Sequence, residues 1–494
     1  MDWVVAIFGK NSATAAAVAS AVMLGIVAVM RALFGRRAEV HKRGVRIREG
    51  AAARRSARRA TRSSQVSHGC ARGEALSFAG IPVHLRDETK HFKVLGTTGT
   101  GKSTAIGELL AKALERGDRA VFADPDGGYR TRFFDRYRGD VVLNPFEPCS
   151  HKWDPFAEIH DAYDIEQLAG SLIPDTPDRA AGEWRAYART LLGAALRSCC
   201  RSNRTDCAEL WRLMSEASPE ELRHALAGTP AQRFIDPENA RMFGSIRSVA
   251  VSALAALEHV AGQRAVSFSV SRWVRRPSAG SLFIPYRAGQ IQALKSIIAT
   301  WMRLAIFAAM QGEEGVDQRL WFVIDELDAL GTIDGLKDAL ARLRKFGGRC
   351  CLGFQSAAQV SSTYAADANT IVENCGNTLI LRCSASEHGG TSQFASRLIG
   401  EREVLRRQIA RGSDREGLFA RRGARRSENT SEQRVTEAAV MPSEIEGLPD
   451  FCGYLKVASA SEWLKVSFER SRSPERSGMH GRLRLERKYQ HPFQ

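Results

Sequence analysis

Residues Gly96-Thr97-Thr98-Gly99-Thr100-Gly101-Lys102-Ser103-Thr104 carry the pattern G-x-x-x-x-G-K-S, whose chemistry is the gripping of phosphate. Its glycines let backbone N–H groups turn inward around an anion, and the start of a following helix adds its positive dipole end. Lys102 is expected to reach the β- and γ-phosphates of a nucleotide, and the Ser103 hydroxyl to bind Mg²⁺. Far downstream, Asp325-Glu326 ends an unbroken apolar run from Leu320 to Ile324. Asp325 is placed to hold the Mg²⁺ through water, and Glu326 to polarise an attacking water as a general base. Alone, an apolar run capped by acids is equally a strand entering a loop; beside the phosphate loop, the chemical reading prevails. Gln355 closes a further run, Arg349 to Phe354, where its amide would sense a γ-phosphate or serve only as a turn residue. The expectation is geometric: the loop ending in Lys102 grips a triphosphate while the acids at 325 and 326 face it across adjoining strand tips.

Such an arrangement needs strands that deliver these side chains to one edge. His91 to Leu95 reads as a short buried strand, and Ala105 to Leu114 has helical composition. The run Leu320 to Ile324 has the continuous apolarity of a central parallel strand. Leu336, Leu340, Leu343 and Phe346 keep helical spacing, and Gly347-Gly348 stops that helix. Val121 to Ala123, followed by Asp124-Pro125-Asp126-Gly127, is one more strand ending at the same edge, where ligands gather in open parallel sheets. From Trp153 to Val274 the alternation of strand and helix stops. That stretch is helical in pattern and punctuated by prolines, and it reads as a separate lobe. Strand character resumes at Ser281 to Tyr286. Residues 401–434, rich in Arg, Ser, Gly and Glu, read as an exposed loop, and alternation returns through Tyr454 to Phe468.

The chain has 494 residues, 44% of them hydrophobic and 26% charged, which excludes wholesale disorder and points to two or three domains. Its ten cysteines form no C-x-x-C pair, which argues for reduced thiols and against a zinc module or disulfide scaffold. The net charge of +16 is concentrated: residues 31–63 contribute +10 and residues 401–494 contribute +5. The middle is therefore nearly neutral, and bulk charge alone is weak support for nucleic-acid binding. Twenty uncharged residues lie between Lys10 and Arg31, long enough to span a bilayer. The basic side is downstream, which predicts a single-pass anchor at about 11–30 with the bulk of the chain cytoplasmic. A buried Ala-rich helix and a signal peptide are the competing readings.

The ordered motifs resemble the type IV coupling proteins of bacterial conjugation. The matching stretches include Leu95 to Thr104, Asp124 to Gly127, Val142-Leu143-Asn144-Pro145-Phe146, Glu183-Trp184 with Leu191-Leu192, and Leu320 to Leu327. They continue through Arg344-Lys345 to Gln355-Ser356 and Met441-Pro442 to Leu448-Pro449-Asp450. The resemblance implies an α/β fold: a RecA-like P-loop ATPase with a mainly parallel sheet, an inserted all-α domain and an N-terminal transmembrane helix. Its divisions would be a membrane anchor at 1–35, a basic linker at 36–75, a nucleotide-binding domain at 76–156 and 276–470, an all-α domain at 157–275 and a charged tail at 471–494. It implies ATP and Mg²⁺ as cofactors and an inner-membrane homo-hexamer, in bacteria, that pumps single-stranded DNA. Expected partners are single- and double-stranded DNA without strong sequence preference, a relaxase or relaxosome, and the proteins of a type IV secretion channel. By position, Lys102 and Ser103 would hold nucleotide and metal, Asp325 and Glu326 the acidic pair, and Gln355 the sensor. Arg344 would be the finger offered to a neighbour's γ-phosphate, although among Arg342, Lys345 and Arg349 it also reads as a solvated helix face. Relatives usually have two spans, whereas Trp3 to Phe8 is too short for a first one. A motor acting on protein substrates, in secretion or pilus assembly, shares the same ATPase motifs, and a non-catalytic tether would need none of them.

Overall fold

The computed structural model describes residues 39–50, 52, 55, 75–176, 178–314, 318–386, 389–413 and 426–469. The expected span at 11–30, most of the basic linker and the tail at 471–494 lie outside the described residues. Residues 47–398 and 441–469 belong to one compact unit, and residues 39–46 and 399–440 to a second.

In the larger unit the apolar runs become strands covered by helices, which is why they show no polar alternation. In chain order the central strands are β1 (Ile47–Arg48), β2 (Phe92–Leu95), β3 (Arg119–Pro125), β4 (Val141–Val142), β5 (Leu282–Tyr286), β6 (Leu320–Ile324), β7 (Gly348–Phe354), β8 (Asn377–Ile380), β9 (Cys452–Lys456) and β10 (Trp463–Ser467). They form one sheet of spatial order β1-β10-β9-β8-β2-β7-β6-β3-β5-β4. From β8 to β4 all neighbours are parallel, whereas β9 runs antiparallel to both β8 and β10. The expected adjoining strand tips need one correction. β7 lies between the phosphate-loop strand β2 and the acidic strand β6. The helix Leu336–Leu343 returns the chain so that β7 is laid down in that gap. Gln355, at the tip of β7, therefore sits between the two motifs.

The carboxyl and amino edges of this sheet differ. At the amino edge, charges are buried and matched. The Arg116 guanidinium bonds Glu88 at 2.9 Å and Asp118 at 2.5 Å, and Arg349 Nε donates to the same Glu88 at 2.9 Å. Trp321 Nε1 donates to Asp118 at 2.8 Å. Arg119 reaches the carbonyls of Trp273, Val274 and Arg276, which end the helix Val270–Arg275. His91 accepts from Cys350 N–H on Nδ1 and donates from Nε2 to Leu340 O, and burial pushes its pKa down to about 4.

Between β4 and β5 the chain is helical, with longest members Arg179–Arg201 and Ala240–Leu254. Asp178, Asp206 and Ser218 accept from backbone N–H groups at the starts of successive helices, as N-caps do. A short parallel pair, Lys152–Trp153 with Ser267–Phe268, closes the insertion at its base. The buried Glu158 carboxylate reinforces that closure, accepting from Trp153 Nε1, Val270 N and Ser271 N. These helices fall in the same compact unit as the sheet. Among the described residues one helix, Ile291–Met310, is long and apolar enough to cross a membrane. Of its most apolar window 67% is buried inside the fold, so its hydropathy is that of a core helix apolar on nearly all sides.

The second unit is a three-stranded antiparallel sheet of Glu39–Gly44, Glu401–Ser413 and Arg426–Ala438. Residues 401–434 are thus largely a β-ribbon rather than the expected loop. The strands pair residue for residue from Glu401↔Ala438 to Ser413↔Arg426. Arg402 and Arg406 both bond Glu437 across the strands, so charge pairing supplies contacts that apolar alternation would have announced.

Candidate nucleotide-binding site

The loop after β2 is held open by its backbone. Gly101 has φ +110°, and a Cβ there would lie 2.8 Å from the Phe451 ring, so both conformation and space require glycine. Thr100 Oγ1 donates to Thr97 O at 2.8 Å, and the helix Lys102–Glu115 begins directly behind the loop. Its buried face, including Ala105, Ile106, Leu109 and Leu110, anchors the loop to the hydrophobic core. Lys102 is buried, and its Nζ donates to Gly96 O at 2.7 Å and Thr97 O at 3.2 Å. Burial lowers its pKa, while Asp325 and Glu326 pull the other way.

Opposite the loop, the acidic pair sits at the tip of β6. Ser103 Oγ donates to Asp325 Oδ2 at 2.5 Å, and the Tyr129 hydroxyl donates to the same oxygen at 3.0 Å. The other carboxylate oxygen, Asp325 Oδ1, is buried and without a partner. Burial holds the Asp325 pKa above the usual carboxylate range, opposed by the Ser103 and Tyr129 bonds and by Lys102. Glu326 is half-buried, and its pKa is raised by burial and then by Asp325 and Asp328. Gln355 Nε2 donates to Glu326 Oε1, while its Oε1 accepts from Thr98 Oγ1 at 3.4 Å. A hydrogen-bonded chain thus runs from the acidic strand through the β7 tip to the phosphate loop. Gly353 permits this, since a Cβ there would fall 2.0 Å from the Asp325 carbonyl oxygen.

Two contributors stand beyond the residues expected from sequence. Asp124, fully buried at the tip of β3, accepts the N–H groups of Tyr129 and Arg130, and burial pushes its pKa up to about 6. Tyr129 lies on the short helix Gly128–Phe133 and stacks on Phe122, which stacks on Phe283 at 4.7 Å between ring centroids. That stack aims the Tyr129 hydroxyl at Asp325. The signal was the Asp124-Pro125-Asp126-Gly127 turn, which placed the strand end but not the tyrosine two residues further on.

Together these groups line a cleft of about 630 Å³, with Thr98, Gly99, Gly101, Lys102, Ser103 and Thr104 on one wall and Asp325, Glu326 and Gln355 on another. Gly96 and Thr97 form the loop's entry, bonded through their N–H groups to Phe354 O and Arg382 O. The orphaned Asp325 oxygen beside the Ser103 hydroxyl is an all-oxygen pair suited to Mg²⁺, which characteristically takes few protein ligands and completes its shell with phosphate and water. Among the described residues no cluster of three or more His, Cys, Asp or Glu is arranged to hold a metal ion. Arg344 is not brought to this cleft. It is exposed in a turn, Arg344–Phe346, before the amino end of β7, where its charge acts on His91. A seven-residue strand separates it from the Gln355 end, roughly 20 Å at the usual rise per residue.

A profile for the type IV secretion-system coupling protein DNA-binding domain matches residues 75–469. The chain is 27% identical over 410 residues to the coupling protein TraD of Escherichia coli strain K12, covering 81% of this chain and 55% of TraD. The chain thus spans about half the length of that relative. Among solved structures, the bacterial conjugative coupling protein TrwBdeltaN70 in its unbound form is 30% identical, with a TM-score of 0.75 over 88% of this chain and 96% of that one. The plasmid coupling protein TrwB in complex with ADP and Mg²⁺ has the same identity and TM-score, over 88% of this chain and 95% of TrwB.

Proposed function

The chain belongs to the type IV secretion-system coupling proteins, and from that premise we propose that it is an ATP-driven motor pumping single-stranded DNA during conjugation. It would couple a relaxase or relaxosome to a type IV secretion channel as a homo-hexamer, anchored in the inner membrane by a single span at 11–30. In this reading 76–156 and 276–470 form the nucleotide-binding domain and 157–275 an all-α domain. The observation that carries it is the meeting of Ser103 and Asp325, one carboxylate oxygen bonded and the other orphaned, directly behind the phosphate loop.

In operation, Lys102 exchanges its bonds to Gly96 and Thr97 carbonyls for the β- and γ-phosphates of ATP. Ser103 and Asp325 would hold Mg²⁺, which when bound would neutralise charge on the phosphate oxygens. Glu326, released from Gln355, takes the proton of the attacking water; its raised pKa makes it a stronger base than an exposed glutamate. Gln355 turns its amide to the γ-phosphate. Arg344, remote from its own cleft, is offered to the cleft of a neighbouring subunit, so turnover requires the oligomer. Single- and double-stranded DNA are held mainly through phosphates and stacked bases, without strong sequence preference and strongly weakened by salt.

The test is ATP turnover by the full chain in detergent, with and without single-stranded DNA, beside Lys102→Ala. Turnover stimulated by DNA and lost in the variant supports the pump. Turnover indifferent to DNA points instead to a motor for protein secretion or pilus assembly, and absence of turnover in both proteins to a tether.

A further inference from the structure

Tyr286, the last residue of β5, is 4% exposed, and its hydroxyl is buried without a hydrogen-bond partner. A buried polar group left unpaired is costly, so its presence calls for a reason. The strand tip that carries it is fixed: Asp126 N–H donates to Tyr286 O at 2.7 Å, and Asn144 Nδ2 donates to Pro285 O at 2.7 Å. Tyr286 pairs with Pro125 across β5 and β3, and Ala123 pairs with Ile324 across β3 and β6. Carried on by two residues, the second pairing sets Glu326 level with Pro125, so Tyr286, Pro125 and Glu326 form one cross-strand row. Side chains alternate between the faces of a sheet. Asp325 meets Ser103 on the face of the phosphate-loop helix, which directs Glu326, the next residue, to the other face. Phe283 belongs to the core cluster of that same helix, which puts Tyr286, three residues on, on the face of Glu326. The row spans two strand spacings, roughly 10 Å, which a tyrosine and a glutamate reaching toward one another can close. In the strand order β7-β6-β3-β5, Gln355 flanks Glu326 on one side and Tyr286 on the other. Burial, and then the charges of Glu326, Asp325, Asp124 and Asp126, raise the Tyr286 pKa, so the hydroxyl keeps its proton and remains a donor.

We propose that Tyr286 is a positioning residue: its hydroxyl receives the Glu326 carboxylate when that carboxylate leaves Gln355, and holds it in the orientation that accepts the proton of the attacking water. In the structure Glu326 Oε1 accepts from the Gln355 amide, so the base is held on one flank while the donor on the other flank stands without an acceptor. Glu326 thus has two stations, and the second gives the orphaned hydroxyl its partner. A base fixed at the moment of proton transfer avoids the rate loss that a misplaced group incurs. The assignment rests on the reading of Glu326 as general base, and adds to it the group that orients this base during turnover.

The test measures MgATP turnover by the full chain in detergent, with single-stranded DNA present, for Tyr286→Phe, Glu326→Gln and the double variant. Tyr286→Phe keeps the ring and removes only the hydroxyl. It should lower kcat by about tenfold to 10²-fold, with KM for ATP within about twofold of wild type. Its urea midpoint should be unchanged or raised, because the deleted hydroxyl had no partner. In the Glu326→Gln background the same change should cost no more than about twofold, since residues that act as a unit are not additive. A kcat for Tyr286→Phe within about twofold of wild type would show that the hydroxyl is merely tolerated in the packing. A lowered urea midpoint, or a raised KM with kcat unchanged, would show a structural role. An equal fall in kcat in both backgrounds would show that Tyr286 acts apart from Glu326. Each of these overturns the proposal. Glu326→Gln alone separates the underlying reading: if it turns over ATP as wild type does, the base is misassigned and the positioning role falls with it. If Glu326→Gln loses turnover and Tyr286→Phe does not, the positioning role alone falls.

Discussion

The two edges of the central sheet use the same residue types to opposite ends. At the amino edge, Glu88, Asp118, Arg116 and Arg349 are buried with every carboxylate facing a guanidinium. At the carboxyl edge, Asp325, Glu326 and Asp328 gather about the ammonium of Lys102, Asp124 lies beside Asp325, and buried oxygens of Asp325 and Asp328 have no partner. Matched charge holds the fold, and unmatched charge waits for a ligand. The carboxylate pKa values record the difference: those of Asp124, Asp325, Glu326 and Asp328 are raised, each chiefly by burial.

Arg344 tests the contrast most severely, because it is the one amino-edge cation assigned here to catalysis. Arg344→Ala should lower turnover by about 10³-fold or more while leaving ATP binding near wild type. Mixing it with Lys102→Ala subunits should restore part of the activity, since some interfaces then pair an intact loop with an intact arginine. Mixed samples no more active than either parent would show that Arg344 does not act across subunits. Glu326→Gln should lower turnover by about 10²- to 10⁴-fold with stability unchanged or slightly increased, as measured by steady-state hydrolysis beside denaturant melts. Glu88→Ala should do the reverse, costing about 3–5 kcal/mol in urea unfolding by leaving two buried guanidiniums short of a carboxylate. A small loss there, or a large loss at Glu326, would erase the contrast between edges. Asp124 gives the smallest effect. Its folded pKa of about 6 lies above the ordinary 3.8, so its protonated form stabilises the fold below about pH 4, and that contribution is lost as pH rises through 6. The stability of Asp124→Asn relative to wild type should therefore climb between pH 4 and 6, by on the order of 1–3 kcal/mol, and stay level elsewhere.

The same contrast explains what the sequence disclosed. The phosphate loop, β6 with its acidic end and β7 ending at Gln355 are local patterns in which strand, turn and side chain stand side by side in the chain. They were legible together with the parallel sheet and the helical insertion. Strand order was not: no local pattern states that β7 lies between β2 and β6, because the crossover that places it depends on helix packing. Tyr129 and Phe451 were missed for a related reason. Each reaches the cleft through an aromatic stack or a positive φ that only the folded chain possesses. The ribbon at 401–438 escaped notice because its described cross-strand contacts include ion pairs, such as Arg402 with Glu437, that apolar alternation does not announce. The all-matched charge cluster of the amino edge gave no signal either, since Glu88, Arg116, Asp118 and Arg349 are scattered in sequence.

Gln355 is followed at once by Ser356, whose hydroxyl accepts from Gln359 N–H and caps the helix Ala357–Tyr364. No slack separates the amide that contacts Glu326 from the first turn of that helix. A shift of the amide by an ångström, were it to exchange the carboxylate for a phosphate as proposed, would have no loop in which to dissipate. It would arrive at the helix as displacement, which makes this junction a direct linkage between the cleft and the helix Ala357–Tyr364.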